Sequence, residues 1–310
     1  MAMKPESEDL RQIDDAVVES YFDGAGGTTA AAMSMMAHGH NLPLNSVAHR
    51  LAKELRIISG WLDALADSGR VLDVGCGAGA WVEIFAKRFS NVIGVERSPL
   101  MVEAARNRVA NTTNAQILNG DGRKDLPGGP FELIFVGGLF MYLNDSDALA
   151  LLYSLQDRLC SGGSIILRES TVRNGELLVK GKYQAIYRSV DLYHDLFQRA
   201  GILCREVRQN SGYNDMVIAE GVVDFRRKWL SFLPKDSIFW GSLTWWALKG
   251  ITPISFWASP KILSSLNVPW PRLQNHFFLL QLTNWEATST NQGNRSGAIG
   301  TKGLRRESRS

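Results

Sequence analysis

Residues 71–79 read Val71-Leu72-Asp73-Val74-Gly75-Cys76-Gly77-Ala78-Gly79. An apolar run carrying one acid passes into three alternating glycines. A helical pattern follows, from about Ala80 to Phe89. This predicts a buried strand, a tight turn and a helix. The glycines let the backbone turn sharply and leave space beside it. In open α/β sheets, ligands settle beyond the carboxyl ends of the strands, near the central crevice. Alone, the pattern also fits a dinucleotide site, with Ala80 where a third fingerprint glycine would stand.

Outward from this turn, strand and helix patterns alternate. Asn91–Glu96, Ala115–Asn119, Leu133–Gly137 and Ser164–Glu169 read as further strands, and Ser98-Pro99 opens a helix because proline is tolerated in a first turn. Residues 146–159 and 189–200 are predicted helices, with Asn144 or Asp145 as cap of the first. Ile202–Gln209 and Asn214–Val222 read as a paired ending joined by Ser-Gly-Tyr, a link too short for a crossover, so the final strand is expected to be antiparallel. Apolar strands in this rhythm imply an α/β fold, a mainly parallel sheet covered on both faces. On the amino-terminal side, 10–23 and the segment from Asn45 or Ser46 to Ser68-Gly69 read as helices, the second with an apolar stripe at Leu51, Leu55, Ile58 and Leu62.

Three acids sharpen the site. Asp73 lies two residues before the turn. Glu96 ends the second strand, where a carboxylate can accept from both hydroxyls of a ribose. Asp121, in Asn119-Gly120-Asp121-Gly122, follows the third strand and can reach an exocyclic amine of adenine. With LDVGCGAG at 72–79, Glu96, Asp121 and FVGGLFMYLND at 135–145, residues 46–223 resemble the class I S-adenosylmethionine-dependent methyltransferases. The resemblance implies a seven-stranded Rossmann-like sheet, mostly parallel with an antiparallel last strand, and S-adenosylmethionine as cofactor. It implies cofactor contacts from Asp73, Gly75, Gly77, Gly79, Glu96, Asp121 and Gly122. Gly137, Gly138 and Leu139 would lie under the cofactor, near the reactive sulfonium. Cys76 reads as space-filling rather than nucleophilic. A nicotinamide-dependent oxidoreductase and a non-enzymatic interaction module are the contrasting readings.

Acceptor chemistry is less legible. The sulfonium supplies an activated methyl group, so the protein must align an acceptor and exclude water. A base is needed only for a protonated or weakly nucleophilic acceptor. Glu169, at the end of the fifth strand beside Arg168, Tyr187 in the polar excursion 170–188, and His38 in the amino-terminal segment are the catalytic candidates. Against them stand a strand-end salt bridge for Arg168 and Glu169, and core packing for the tyrosines Tyr183 and Tyr187. His38, His40 and His49 lack partners at ligand spacing, so no metal is expected. The segment GGLFMYLN (137–144) lacks the asparagine/aspartate-proline-proline-aromatic run of amine-methylating relatives, which speaks against DNA-base or protein-glutamine methylation.

Charge is distributed unevenly. The formal net charge is +3, yet residues 226–285 carry seven basic residues, one acid (Asp236) and seven of the nine tryptophans. Four segments follow: an amino-terminal helix and candidate lid (1–45), a cofactor-binding domain (46–225), a basic tryptophan-rich helical extension (226–285) and a tail of disordered composition (286–310). The extension reads as a packing module or dimer interface with buried tryptophans, as a cover over a hydrophobic acceptor, or as a peripheral membrane patch favouring anionic headgroups. No module for specific nucleic-acid recognition is present. Three scattered cysteines exclude a disulfide framework, no apolar run of spanning length occurs, and a cytoplasmic setting is expected. The expected function is methyl transfer to oxygen or nitrogen of a small metabolite, with a hydrophobic one among the candidates. The alternative acceptor is a lipid or phosphate-bearing molecule at a membrane surface.

Overall fold

A computed structural model describes residues 12–25, 40–230, 232–235, 237–266 and 272–283. In chain order the elements are α1 (Asp15–Ala25), α2 (Leu44–Leu62), β1 (Arg70–Val74), α3 (Ala80–Ala86), β2 (Asn91–Glu96), α4 (Pro99–Arg108), β3 (Ala115–Asn119) and β4 (Phe131–Gly137). Then come a 3-10 turn (Phe140–Tyr142), α5 (Asp145–Gln156), β5 (Leu159–Val172), β6 (Glu176–Val179), β7 (Ala185–Ser189), α6 (Val190–Arg199) and β8 (Ile202–Gln209). The chain continues through α7 (Ser211–Trp229), α8 (Ile238–Gly250), a π-helical turn (Pro253–Ala258), α9 (Ser259–Ser265) and β9 (Gln274–Leu282).

The sheet core runs β3-β2-β1-β4-β5-β9-β8, with β9 antiparallel to both β5 and β8. Seven strands with one antiparallel member is the expected architecture, but the antiparallel strand is supplied by 274–282. Asn214–Val222, expected as that strand, lies inside α7. Its buried residues, Asp215, Met216, Ala219, Val223 and Arg226, recur at helical spacing. Asn210 caps the helix by accepting from the Tyr213 amide at 3.0 Å. Residues 226–285 are therefore not an appendage to a finished sheet, because their last stretch completes it. Two further strands, β6 and β7, form an antiparallel hairpin within the excursion 170–188. Thr171 of β5 registers with both Arg188 and Gln274, so β7 and β9 flank that strand from opposite sides.

Successive strand residues face opposite ways. Leu72, Val136, Leu167 and Phe278 meet α5 and α6 on one face, and Val71, Phe135, Ile166 and Phe277 meet α2, α3 and α4 on the other. On α2 the buried face is displaced from the expected stripe. Ile58 and Leu62 of that stripe are buried, but nearer its start Arg50 and Glu54 are buried while Leu51 and Leu55 are half-buried. That helix starts after Pro43 without a side-chain cap and ends at Leu62, short of Ser68-Gly69. Neither Asn144 nor Asp145 caps α5 through its side chain. Asn144 instead binds the Ile13 backbone in both directions, at 2.9 and 3.1 Å, tying the amino-terminal segment to the sheet. His38, Trp270, Trp285 and the segment 286–310 lie outside the described residues.

Candidate functional site

The turn after β1 opens a cavity of about 340 Å³. Gly75, Gly77 and Gly79 all have positive φ. At Gly79 a side chain would also meet the Ala105 Cβ at 3.0 Å, so the close approach of α3 and α4 needs glycine there. Gly77 is different: nothing lies within 4 Å of an added Cβ. Its amide turns back to donate to Glu96 Oε2 at 2.9 Å, and the Ser98 amide donates to Oε1 at 2.9 Å. Glu96 thereby locks the glycine turn to the start of α4. A carboxylate offers about four lone-pair sites, so two remain for hydroxyls in the cavity that Glu96 lines. Cys76 is buried, and its Sγ would stand 2.8 Å from any side chain at Gly94, which is the space-filling role expected of it. Burial pushes its thiol well above the ordinary range.

Asp121 and Gly122 line the same cavity. Both Asp121 carboxylate oxygens are held by the Arg123 guanidinium, at 2.7 to 3.1 Å. Burial raises its pKa, but the Arg123 hydrogen bonds outweigh that and the net shift is downward. Arg123 also donates to Asp15 at 2.8 Å, and Arg97 pairs with Glu19. These pairs strap α1 across the cavity, which Asp15, Val18, Glu19 and Phe22 line.

Asp73 is buried and its Oδ2 has no hydrogen-bond partner. Desolvation raises its pKa to about 8 despite the nearby Arg168. An orphaned acid beside an open glycine turn fits the amino-acid end of S-adenosylmethionine, whose ammonium and sulfonium are cationic. Together with the Glu96 and Asp121 carboxylates, the residues present fit that cofactor.

The wall beyond Asp73 was not assembled from sequence. Arg168 donates to the fully buried Glu54 at 3.2 Å and to the Gly137 carbonyl at 3.3 Å. Glu54 also accepts from Asn210 at 2.8 Å and pairs with Arg50 at 3.7 Å. Asn210 donates to Asn275 at 2.8 Å, and Ser170 donates to the Tyr213 hydroxyl at 2.8 Å. Arg50, Arg168, Ser170, Tyr213 and Asn275 all line the cavity. They come from α2, β5, α7 and β9, four elements distant in sequence.

Glu169 and Tyr187 are placed elsewhere. Glu169 faces the opposite side of β5 from Arg168, so the two form no strand-end pair. Fully buried and absent from the cavity wall, Glu169 accepts from the Leu139 and Phe140 amides at 3.1 Å each. Burial raises its pKa to about 7. From the other side Arg188 donates to the carbonyls of Phe140 and Leu143, at 3.0 and 2.8 Å. The turn carrying Gly138, Leu139 and Tyr142 into the cavity is thus clamped from both sides. Tyr187 is buried behind the wall, with its hydroxyl 2.7 Å from that of Tyr183, which lies 3.2 Å from that of Tyr142. Of the three, only Tyr142 lines the cavity. This geometry makes Glu169 a positioning group. Glu169→Gln keeps an acceptor for both amides and is expected to retain turnover within about threefold. Glu169→Ala leaves two buried amides unpaired, a loss of about 1–3 kcal/mol each, and is expected to lower both thermal stability and turnover. A general base would lose activity equally in both variants.

Residues 71–163 match the family described as a methyltransferase domain. The matched stretch, about a third of the chain, is similar to a methyltransferase domain. The glycine turn, Glu96, Asp121 and the post-β4 turn all fall in that stretch, whereas Arg50, Arg168 and Tyr213 fall outside. The chain is similar to trans-aconitate 2-methyltransferase of Rhizobium rhizogenes, at 31% identity over 34% of this chain and 45% of the relative. It is also similar to malonyl-[acyl-carrier protein] O-methyltransferase 1 of Ilyobacter polytropus, at 33% identity over 28% of this chain and 34% of the relative. The chain thus spans a third to a half of the length of these curated relatives. An O-methyltransferase from a Brevibacillus brevis polyketide synthase, solved with S-adenosylhomocysteine, has a similar fold, with a TM-score of 0.52 at 16% identity over 78% of each chain.

Proposed function

We propose that this chain transfers the methyl group of S-adenosylmethionine to a small carboxylic acid, at an oxygen of its carboxylate. One observation carries the acceptor class: Arg50 and Arg168 line the cavity that holds the glycine turn. Arg168 donates to Glu54 at 3.2 Å and Arg50 pairs with it at 3.7 Å, so both guanidiniums stand at this end of the cavity, where a carboxylate can be met by charge-assisted hydrogen bonds.

The chemistry agrees with the electrostatics. A hydroxyl acceptor needs a base. Among the described residues no histidine lines the cavity. Burial pushes the Tyr142 phenol well up and the Tyr213 phenol up to about 12, so neither is a base at neutral pH. A carboxylate arrives already nucleophilic and needs only alignment and the exclusion of water. The Rhizobium relative is named for trans-aconitate, itself an acid, which supports the same class.

Isotopically labelled S-adenosylmethionine, offered with a panel of carboxylic acids, their amides and phosphate monoesters, tests the proposal. The expected product carries label that alkali releases as methanol, the behaviour of a methyl ester. Alkali-stable label on neutral acceptors would overturn it.

Cofactor binding should also report Asp73. The free protein holds its proton below about pH 8, and a cationic ligand expels it. Affinity for S-adenosylmethionine is therefore expected to rise with pH between roughly 6 and 8, by up to about tenfold per unit, and to flatten above. Calorimetry in buffers of different ionisation enthalpy should show proton release. Asp73→Asn should abolish the slope.

A further inference from the structure

Sixteen large apolar side chains stand exposed among the described residues, and thirteen of them fall between 225 and 266. They belong to the end of α7, to α8, to the π-helical turn, to α9 and to the short links beside them. The inner side of this cap is closed. Met216, Val223 and Trp245 pack with Leu42 and Val47, and Gly241 lets α8 approach so closely that an added Cβ would stand 2.0 Å from the Asn41 carbonyl oxygen. The outward side is therefore not an opened core. Trp229, Phe232, Phe239, Trp246, Trp257 and Ile262 project from it, with Phe232 80% exposed. Of the five tryptophans described in this cap only Trp245 is buried, which opposes a packing module built on buried indoles. A folded chain rarely leaves such a concentration of apolar surface to water without a partner.

The charge around the surface identifies the partner. Of the six basic residues among 226–266, Lys228, Lys235 and Lys261 are exposed, whereas Arg226 is buried and Lys249 meets His49 at 3.1 Å; the stretch holds one acid, Asp236. The Lys261 ammonium lies 4.2 Å from the Trp257 ring centre and that of Lys228 5.7 Å from the Trp229 ring. An indole with an ammonium at its side suits the headgroup layer, where the ring enters the acyl boundary and the cation meets phosphate. A second protein is a poorer match, since lysine is depleted from the centres of protein interfaces. No helix among the described residues is long and apolar enough to cross a membrane.

We propose that this cap is a peripheral docking surface that seats its tryptophans in the interface of a bilayer containing anionic phospholipid. Helix α7 links the two regions. Tyr213 near its start lines the cavity and Trp229 ends it, about 24 Å apart at 1.5 Å per residue. Docking would hold the cavity clear of the bilayer, so the acceptor itself need not be a lipid.

The test uses the full chain with phosphatidylcholine vesicles, with and without phosphatidylglycerol, read by sedimentation and tryptophan emission. Binding is expected on the anionic vesicles, with a blue shift and with weakening as salt rises. Lys228→Gln and Lys261→Gln are each expected to lower the partition coefficient about fivefold. Phe232→Ser with Trp257→Ser should abolish the blue shift while leaving S-adenosylhomocysteine binding in solution unchanged. Absence of association with either vesicle would overturn the proposal. So would equal binding to neutral vesicles with no effect of the lysine variants. A dimer in sedimentation velocity that the double serine variant dissolves would assign the surface to a second copy instead.

Discussion

Glu96→Ala is expected to weaken S-adenosylmethionine binding about 10- to 100-fold while leaving the sheet intact. The wild-type carboxylate holds the Gly77 and Ser98 amides at 2.9 Å each, and its remaining lone pairs face the cavity. Alanine removes the charged acceptor for ligand hydroxyls and also frees the turn beneath them. Hydrogen bonds to a charged group contribute about 1.5–3 kcal/mol, and each 1.4 kcal/mol is about tenfold in affinity. Calorimetric titration with S-adenosylhomocysteine measures the loss, and circular dichroism checks the fold. Glu96→Gln, which keeps an acceptor but not the charge, should fall between. A cofactor affinity unchanged in the alanine variant would mean that the nucleoside does not lie against this carboxylate.

Glu54→Leu is expected to cost the most stability. The carboxylate is fully buried and serves Arg168, Arg50 and Asn210 together. Removing it leaves two guanidiniums beside each other in a desolvated wall. Breaking a buried ion pair in this way costs about 3–5 kcal/mol, which for a domain of this size lowers the melting temperature by on the order of 10 °C. Glu54→Gln should lose less, because it can still accept from Asn210. Thermal unfolding of the two variants beside the wild-type chain separates the outcomes. Equal melting temperatures for wild-type and leucine variants would show that the guanidiniums do not depend on Glu54.

The cofactor half of this site was legible because its residues are local. Asp73, Gly75, Gly77, Gly79, Glu96 and Asp121 sit at strand ends within one contiguous stretch, and each strand end could be read from its own apolar run. The wall built on Arg50 and Arg168 was not legible for the opposite reason. Arg50 and Glu54 occupy polar positions of a helix whose apolar stripe pointed to Leu51 and Leu55 as the buried face. Only the partners Arg168 and Asn210, more than a hundred residues away, draw the polar pair inward. The antiparallel strand was misassigned because Met216, Val217, Ile218, Val222 and Val223 look β-prone in a short window. Asn210, an N-cap type immediately before that window, was the available signal for a helix. The run 275–282 belongs to the extension for which a packing module is one reading, and internal packing and sheet completion are the same pattern until a partner strand is known. Glu169 drew attention by its place at a strand end, but strand parity sends it away from the cavity that Arg168 faces.

The most direct test is calorimetric titration of the full chain with S-adenosylhomocysteine and, separately, with NAD. One equivalent of S-adenosylhomocysteine is expected to bind, more weakly to Glu96→Ala, with no binding of NAD. Selective binding of NAD, or no binding of S-adenosylhomocysteine to the folded wild-type chain, would contradict the cofactor assignment.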